Sequence, residues 1–262
     1  MKVGETAIEE EIKKEGCGGY VVDASNIKVM ALDLSSLSSI KEFASQFLAN
    51  ENRLDFLVLN AGIMALPKLE FTDAGFEKQI GVNHFGHFYL TQLLQKKIQE
   101  TPNTSGRIVV LTSVAHKHGE IVSEDLHYTK GRQYNGWKSY GQSKLANLLY
   151  AKALADRLKG TNITAVAVHP GVIQTNLWNQ SLISKLIGNL ITSKTIPQGA
   201  ATTIFACVAP RVGTDCLRGA YLEDCSPSLP SKSGQDEDKI LRNKLWTATE
   251  EQLAFATKKA GL

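Results

Sequence analysis

The sequence predicts an α/β fold: an open, doubly wound parallel sheet with helices on both faces, formed as a single domain. Three observations predict it. Short β-prone runs alternate with helix-length amphipathic segments along the chain. Residues 54–59 are nearly continuous in apolar side chains, the pattern of a parallel strand covered on both faces. A length of 262 residues with 43% hydrophobic content is enough to bury one sizeable core. Ligands of such sheets bind beyond the carboxyl ends of the strands, which directs attention to the residues that follow each strand.

Taken in order, residues 1–14 carry Ala7, Ile8 and Ile12 among acids and lysines, which reads as an amphipathic helix stopped by Gly16, Gly18 and Gly19. Residues 27–32 are a short β-prone run, expected to form a strand, followed by Asp33 and a capped helix over 37–48. The strand at 54–59 ends in the turn Asn60-Ala61-Gly62. A long helix is expected over 73–100, a strand over 107–111, and a helix over 137–159. The strand at 163–168 is broken by His169-Pro170-Gly171. A helix at 197–208, a short strand at 220–222 and a last helix at 238–254 complete the alternation. Residues 226–236, rich in Ser and Pro, read as a surface loop.

Composition narrows the partners. A formal charge of +3 with dispersed basic residues argues against a nucleic-acid surface. Cys17, Cys207, Cys216 and Cys225 show no C-x-x-C spacing, which suggests free thiols in a reducing compartment. The chain opens on a charged stretch and has no long apolar run, so a cytoplasmic location is the expectation. His116 and His118 lack carboxylate or thiol partners at ligand spacing, and no metal site is expected.

Tyr140 and Lys144 lie four apart in a predicted helix, so phenol and ammonium share one face. A positive charge there is expected to lower the phenol pKa toward the range of a general acid/base. Taken alone, Tyr-x-x-x-Lys also occurs by chance on helix surfaces. Ser113 follows the strand 107–111 at the ligand-binding edge, where its hydroxyl can hold a carbonyl oxygen or merely cap a turn. Asn60-Ala61-Gly62 and Pro170-Gly171 occupy the same rim.

In order, Asn60-Ala61-Gly62, Asn83, Ser113, Tyr140/Lys144 and Pro170-Gly171 resemble the motifs of the short-chain dehydrogenase/reductase family, from about residue 4 to the C-terminal helix. Residues 82–88, the long Ser113-to-Tyr140 spacing, residues 140–147 and Gln198-Gly199-Ala200-Ala201 resemble its retinol-dehydrogenase-like branch, which includes the WW-domain-containing oxidoreductase. The resemblance implies a Rossmann-type sheet and hydride transfer between NADP or NAD and the alcohol or carbonyl group of an apolar, retinoid-, steroid- or lipid-like substrate. It implies that Tyr140 exchanges the proton, Ser113 orients the oxygen, Lys144 holds the nicotinamide ribose, and Asn83 supports a water relay. Asp33 would contact the adenine. Asn60, Ala61, Gly62, Pro170, Gly171 and Thr175, with Tyr140 and Lys144, would line the cofactor. Leu182, Ile183, Leu186, Ile187, Leu190 and Ile191 repeat at helical spacing where family members carry a lid; a helix packed on its own core fits the same spacing. Homo-oligomer formation and membrane association stay open.

The family's strand followed by Thr-Gly-x-x-x-Gly-x-Gly does not occur in this sequence, and Gly16, Gly18 and Gly19 follow a helix rather than a strand. The expectation is therefore an N-terminally truncated chain lacking the first strand, the Gly-rich turn, the first helix and the second strand, with an unpaired edge at 54–59 and weakened cofactor binding. The alternative function under that expectation is a catalytically inactive fragment serving as a binding or regulatory protein.

Overall fold

The computed structural model describes residues 26–173 and 194–262. The chain divides into two compact units, Met1–Asp33 and Leu34–Leu262. The described part of the first unit, residues 26–33, is irregular apart from a turn at Asn26. The strand expected at 27–32 is thus corrected: β-prone side chains do not make a strand unless a neighbouring strand takes up the backbone hydrogen bonds, and no described strand pairs with this run. The helix expected over residues 1–14, Gly16, Gly18, Gly19, Thr175 and the apolar repeat at 182–191 lie outside the described residues.

The second unit is built on one sheet. Helix α1 (Leu37–Asn50) starts where the Ser36 side chain accepts from the Ser39 N–H, and it buries Leu37, Ile40 and Ala44. Strand β1 (Phe56–Leu59) leads to helix α2, made of a short start Lys78–Ile80, a π-helical stretch Gly81–Gly86 and the α-helix His87–Glu100. Strand β2 (Gly106–Leu111), helix α3 (Gly136–Arg157), strand β3 (Ile163–His169) and helix α4 (Ile196–Val208) follow. The chain ends with β4 (Tyr221–Glu223), β5 (Ser226–Pro227), the short helix α5 (Lys232–Gln235) and the long helix α6 (Ile240–Lys259).

The strand order is β1-β2-β3-β4-β5, parallel except for the antiparallel β4–β5 pair. Every residue of β2 and β3 is buried. Val109, Leu111, Val166 and Val168 pack with Ala206 of α4 on one face, and α3 also packs against both strands. Alternate side chains point to opposite faces, so both faces of the central strands need apolar cover.

Three expectations are corrected here. Strand β1 is not covered on both faces: Leu57 and Leu59 are buried, whereas Phe56 and Val58 are 42% and 38% exposed. Among the described strands it pairs only with β2. The long helix starts at Lys78, because Thr72 and Phe76 close a turn by backbone hydrogen bonding and the Glu77 carboxylate accepts from the Ile80 N–H as its cap. Residues 226–236 are not a plain surface loop. They hold β5 and α5, and end at Asp236, whose carboxylate takes the Arg242 Nε at 2.9 Å with both side chains buried. Ser and Pro there are the chemistry of strand ends and caps, which composition does not distinguish from loop. Among the described residues no helix is long and apolar enough to cross a membrane.

Candidate active site

The carboxyl ends of β1, β2 and β3 deliver Asn60-Ala61-Gly62, Thr112-Ser113 and Pro170-Gly171 to one rim, and α3 passes beneath it with Tyr140 and Lys144. Together they line a cleft of about 560 Å3. Three local devices bring them together.

The first is the π-helical stretch of α2. It carries Asn83, which is fully buried. The Asn83 Oδ1 accepts from the Ile63 N–H at 2.8 Å, and its Nδ2 donates to the Ile63 carbonyl and to Ser143 Oγ, both at 2.9 Å. One amide therefore fastens the loop after β1 to both α2 and α3. Gly62 permits this approach: a Cβ there would stand 2.9 Å from Asn83 Oδ1 and 3.5 Å from Lys144 Nζ.

The second device joins β2 to α3. Thr112 Oγ1 donates to the Lys144 carbonyl at 2.6 Å, and the Leu111 carbonyl accepts from Asn147 Nδ2 at 2.9 Å and from Lys144 Nζ at 3.2 Å. The third is a 3-10 turn, Val114–His118, that starts with Ser113 and lies directly on α3. A Cβ on Gly119 would meet the Gly141 carbonyl oxygen at 2.3 Å, and one on Gly141 would meet that of Ala115 at 2.9 Å, so two glycines let backbone touch backbone. This contact sets Ser113 beside Tyr140.

The Ser113 Oγ accepts from the Ala115 N–H at 3.2 Å and lies in the same cleft wall as the Tyr140 hydroxyl. Tyr140 packs on Met64 and Ala65 and is 6% exposed. Burial pushes its phenol up to about 12, the nearby Ser113 hydroxyl working the other way. Burial also takes the Lys144 ammonium down to about 8. The expectation that Lys144 lowers the Tyr140 pKa is therefore corrected for the free site. The two do share a helix face, but Nζ sits 5.7 Å from the phenol ring centroid and bonds a backbone carbonyl. Desolvation, which favours the neutral form of each group, dominates.

Of the residues singled out in the sequence, Asn60, Ala61, Gly62, Ser113, Tyr140, Lys144, Pro170 and Gly171 line the cleft, and Asn83 sits directly behind it. Asp33 belongs to the first compact unit, and the geometry described here is that of the second. Thr112, Asn147 and Trp137 escaped sequence reasoning, and His116 was weighed there only as a metal ligand. Thr112 adjoins Ser113 and could have been found by asking what closes the end of β2; Asn147 and Trp137 carry no local signal.

A sequence profile described as short chain dehydrogenase matches residues 10–185. The chain is 40% identical to retinol dehydrogenase 12 of Mus musculus over 254 residues, 95% of this chain and 78% of that protein. It is 37% identical to retinol dehydrogenase 14 of Mus musculus, over 93% of this chain and 72% of that one. A crystal structure of an uncharacterised protein from Mycobacterium paratuberculosis is 33% identical and superposes with a TM-score of 0.66, covering 86% of this chain and 75% of that one. With the serine, tyrosine and lysine gathered at the carboxyl edge of a parallel sheet, and a match extending over most of its length, this chain belongs to the short-chain dehydrogenase family.

Proposed function

We propose that this chain is an NAD(P)-dependent oxidoreductase that interconverts the alcohol and carbonyl forms of an apolar substrate. The observation that carries the reading is the Ser113–Tyr140 hydroxyl pair in the cleft, with the Lys144 ammonium buried beside it.

The residues fit the nicotinamide-ribose end of such a cofactor. Gly62 and Gly171 let the rim close tightly on its neighbours: a Cβ on Gly62 would press on Asn83 and Lys144, and Gly171 holds φ +88 with its absent Cβ 2.7 Å from Lys194. Lys144 Nζ makes one bond to a carbonyl and keeps further N–H groups for ribose hydroxyls. Asn60, Ala61 and Pro170 complete that wall. When bound, the nicotinamide supplies or receives the hydride at the substrate carbon.

The chain's own residues handle the oxygen. Ser113 and Tyr140 both present hydroxyls to it, so a carbonyl oxygen held between them is polarised toward reduction. A phenol held up to about 12 is fully protonated at neutral pH and stands ready as the acid. In the reducing direction its proton goes to the developing alkoxide while hydride reaches carbon; in the oxidising direction the phenol first yields its proton to the neutral Lys144 amine, and the resulting phenolate oxygen takes the alcohol proton. Lys144, titrating near 8, is the adjacent group able to restore a proton to Tyr140. Met64, Val114, Ala115 and Trp137 form the remaining wall. Trp137 and Val114 are 38% and 40% exposed, apolar surface that an apolar substrate would cover.

The test is oxidation of NADPH and of NADH by the purified chain with retinal as a lipophilic aldehyde, beside Tyr140→Phe. Turnover in the wild type, lowered by roughly a hundredfold or more in the variant, is expected. A cooperatively folded wild type with no turnover on either cofactor would overturn the proposal and leave a binding role.

A further inference from the structure

The Ser113 hydroxyl can orient a substrate only if the backbone at 113 is itself held, and one buried histidine does this. The Ser113 carbonyl accepts twice from His116, from its N–H at 3.0 Å and from its Nδ1 at 2.6 Å. The other ring nitrogen, Nε2, faces the Ser231 N–H at 3.2 Å. A carbonyl only accepts and an amide N–H only donates. The ring must then be neutral, with its hydrogen on Nδ1 and its lone pair on Nε2. His116 is fully buried, its ring edge-on to Tyr221 at 5.2 Å.

Ser231 is firmly anchored in turn. Its Oγ caps α5 by accepting from the Gly234 N–H at 3.2 Å, and α5 is tied to α3 where Lys152 Nζ donates to the Gln235 carbonyl at 2.7 Å. Asp236, the next residue, accepts from the Leu241 and Arg242 N–H groups at the start of α6.

We propose that His116 is a positioning residue for Ser113. As a single fixed tautomer it joins the serine's carbonyl to the backbone at Ser231, so the catalytic turn is held by the 226–236 segment on the far side of the ring. The proposal rests on the oxidoreductase reading for its kinetic consequence and on geometry alone for its tautomer. It places a non-reacting group behind the serine whose loss should lower turnover without weakening substrate binding.

Two measurements on the full chain test it. Long-range proton–nitrogen correlation on histidine-labelled protein at pH 7, assigned with His116→Asn, is expected to show His116 as the neutral Nδ1–H form. The Nε2–H form or an imidazolium would overturn the proposal, whether or not the protein turns over retinal. The kinetic arm compares Ser231→Pro with Ser231→Ala. Ser231 has φ −54, which proline adopts, so the first change removes the N–H and both remove the cap. With NADPH and retinal, kcat is expected to fall roughly tenfold further in the proline variant at similar KM. His116→Asn, which keeps a donor for the Ser113 carbonyl, should retain most of the kcat that His116→Leu loses. Equal kcat in the two Ser231 variants, or equal impairment of the two His116 variants, would refute the positioning role. Absence of turnover in the wild type would refute the oxidoreductase reading instead, with the tautomer still decided by the first measurement.

Discussion

Replacing Lys144 by Met should make the protein more stable while removing its activity. Lys144 is 5% exposed, and its ammonium is brought from 10.5 down to about 8 by burial alone. Each pH unit between those values is worth about 1.4 kcal/mol, so holding the charged form in the fold at pH 7 costs about 3 kcal/mol. Met has similar length and helix propensity and carries no charge. The Leu111 carbonyl that loses Nζ keeps Asn147 Nδ2 at 2.9 Å, so no acceptor is orphaned. The sign follows from proton counts. Below pH 8 the lysine is protonated in both folded and unfolded chains, and the cost is borne in full. Between about 8 and 10.5 the unfolded chain binds the proton and the folded one has released it, so wild-type stability rises with pH through that window. Urea unfolding of the two proteins should therefore show the Met variant ahead by about 3 kcal/mol at pH 7, the lead shrinking to about 1 kcal/mol by pH 9.5. A Met variant no more stable than wild type at pH 7, or a lead that does not change with pH, would refute this account of the buried ammonium. A functional group that destabilises its own fold is the usual signature of a site kept for chemistry.

Three further outcomes are expected. Gly141→Ala sets a Cβ 2.9 Å from the Ala115 carbonyl oxygen; the gain of about 1 kcal/mol in helix propensity offsets much of the packing strain, so urea midpoints should move little while kcat falls roughly tenfold as the Ser113 turn shifts. Asp236→Ala removes one of the two carboxylates on the buried Arg242 guanidinium, leaving Asp156 at 3.3 Å, and removes the acceptor at the start of α6; a loss of roughly 2 kcal/mol in urea unfolding is expected, more than a surface-loop residue would give. Trp137→Ala removes the largest apolar side chain of the cleft wall; KM for retinal should rise roughly tenfold at similar kcat, with a short polar aldehyde unaffected, as measured by steady-state kinetics on both.

The neighbours of each reacting group explain why some of the site was legible from the sequence and some was not. Tyr140 and Lys144 are four apart in a helix, Ser113 follows a strand, and Gly62 and Gly171 end two others; such relations follow from the geometry of one helix turn or one strand end. Asn83 was identified, but its work was not. That it grips the Ile63 backbone depends on a π-helical stretch whose extra residue turns the side chain toward β1, and a π stretch has no signature in local spacing. His116 was noticed as a metal candidate, whereas its partners at Ser113 and Ser231 are 3 and 115 positions away.

By itself the sequence determined the order of strands and helices from β1 to β4, the last helix, and the identity of the residues at the carboxyl rim. The chain's own local chemistry suffices for that: continuous apolar runs make central strands, and polar residues follow them. Tertiary structure alone decided how buried each element is and therefore which electrostatic effect wins. Residues 27–32 formed no strand and β1 buried only one face, because pairing and cover come from neighbours. Residues 226–236 became an anchored segment because Asp236 found Arg242. The Tyr140 phenol moved up rather than down for the same reason. A charge four residues away is visible in the sequence, but the desolvation that outweighs it exists only once Met64, Ala65 and the Ser113 turn have closed around the ring.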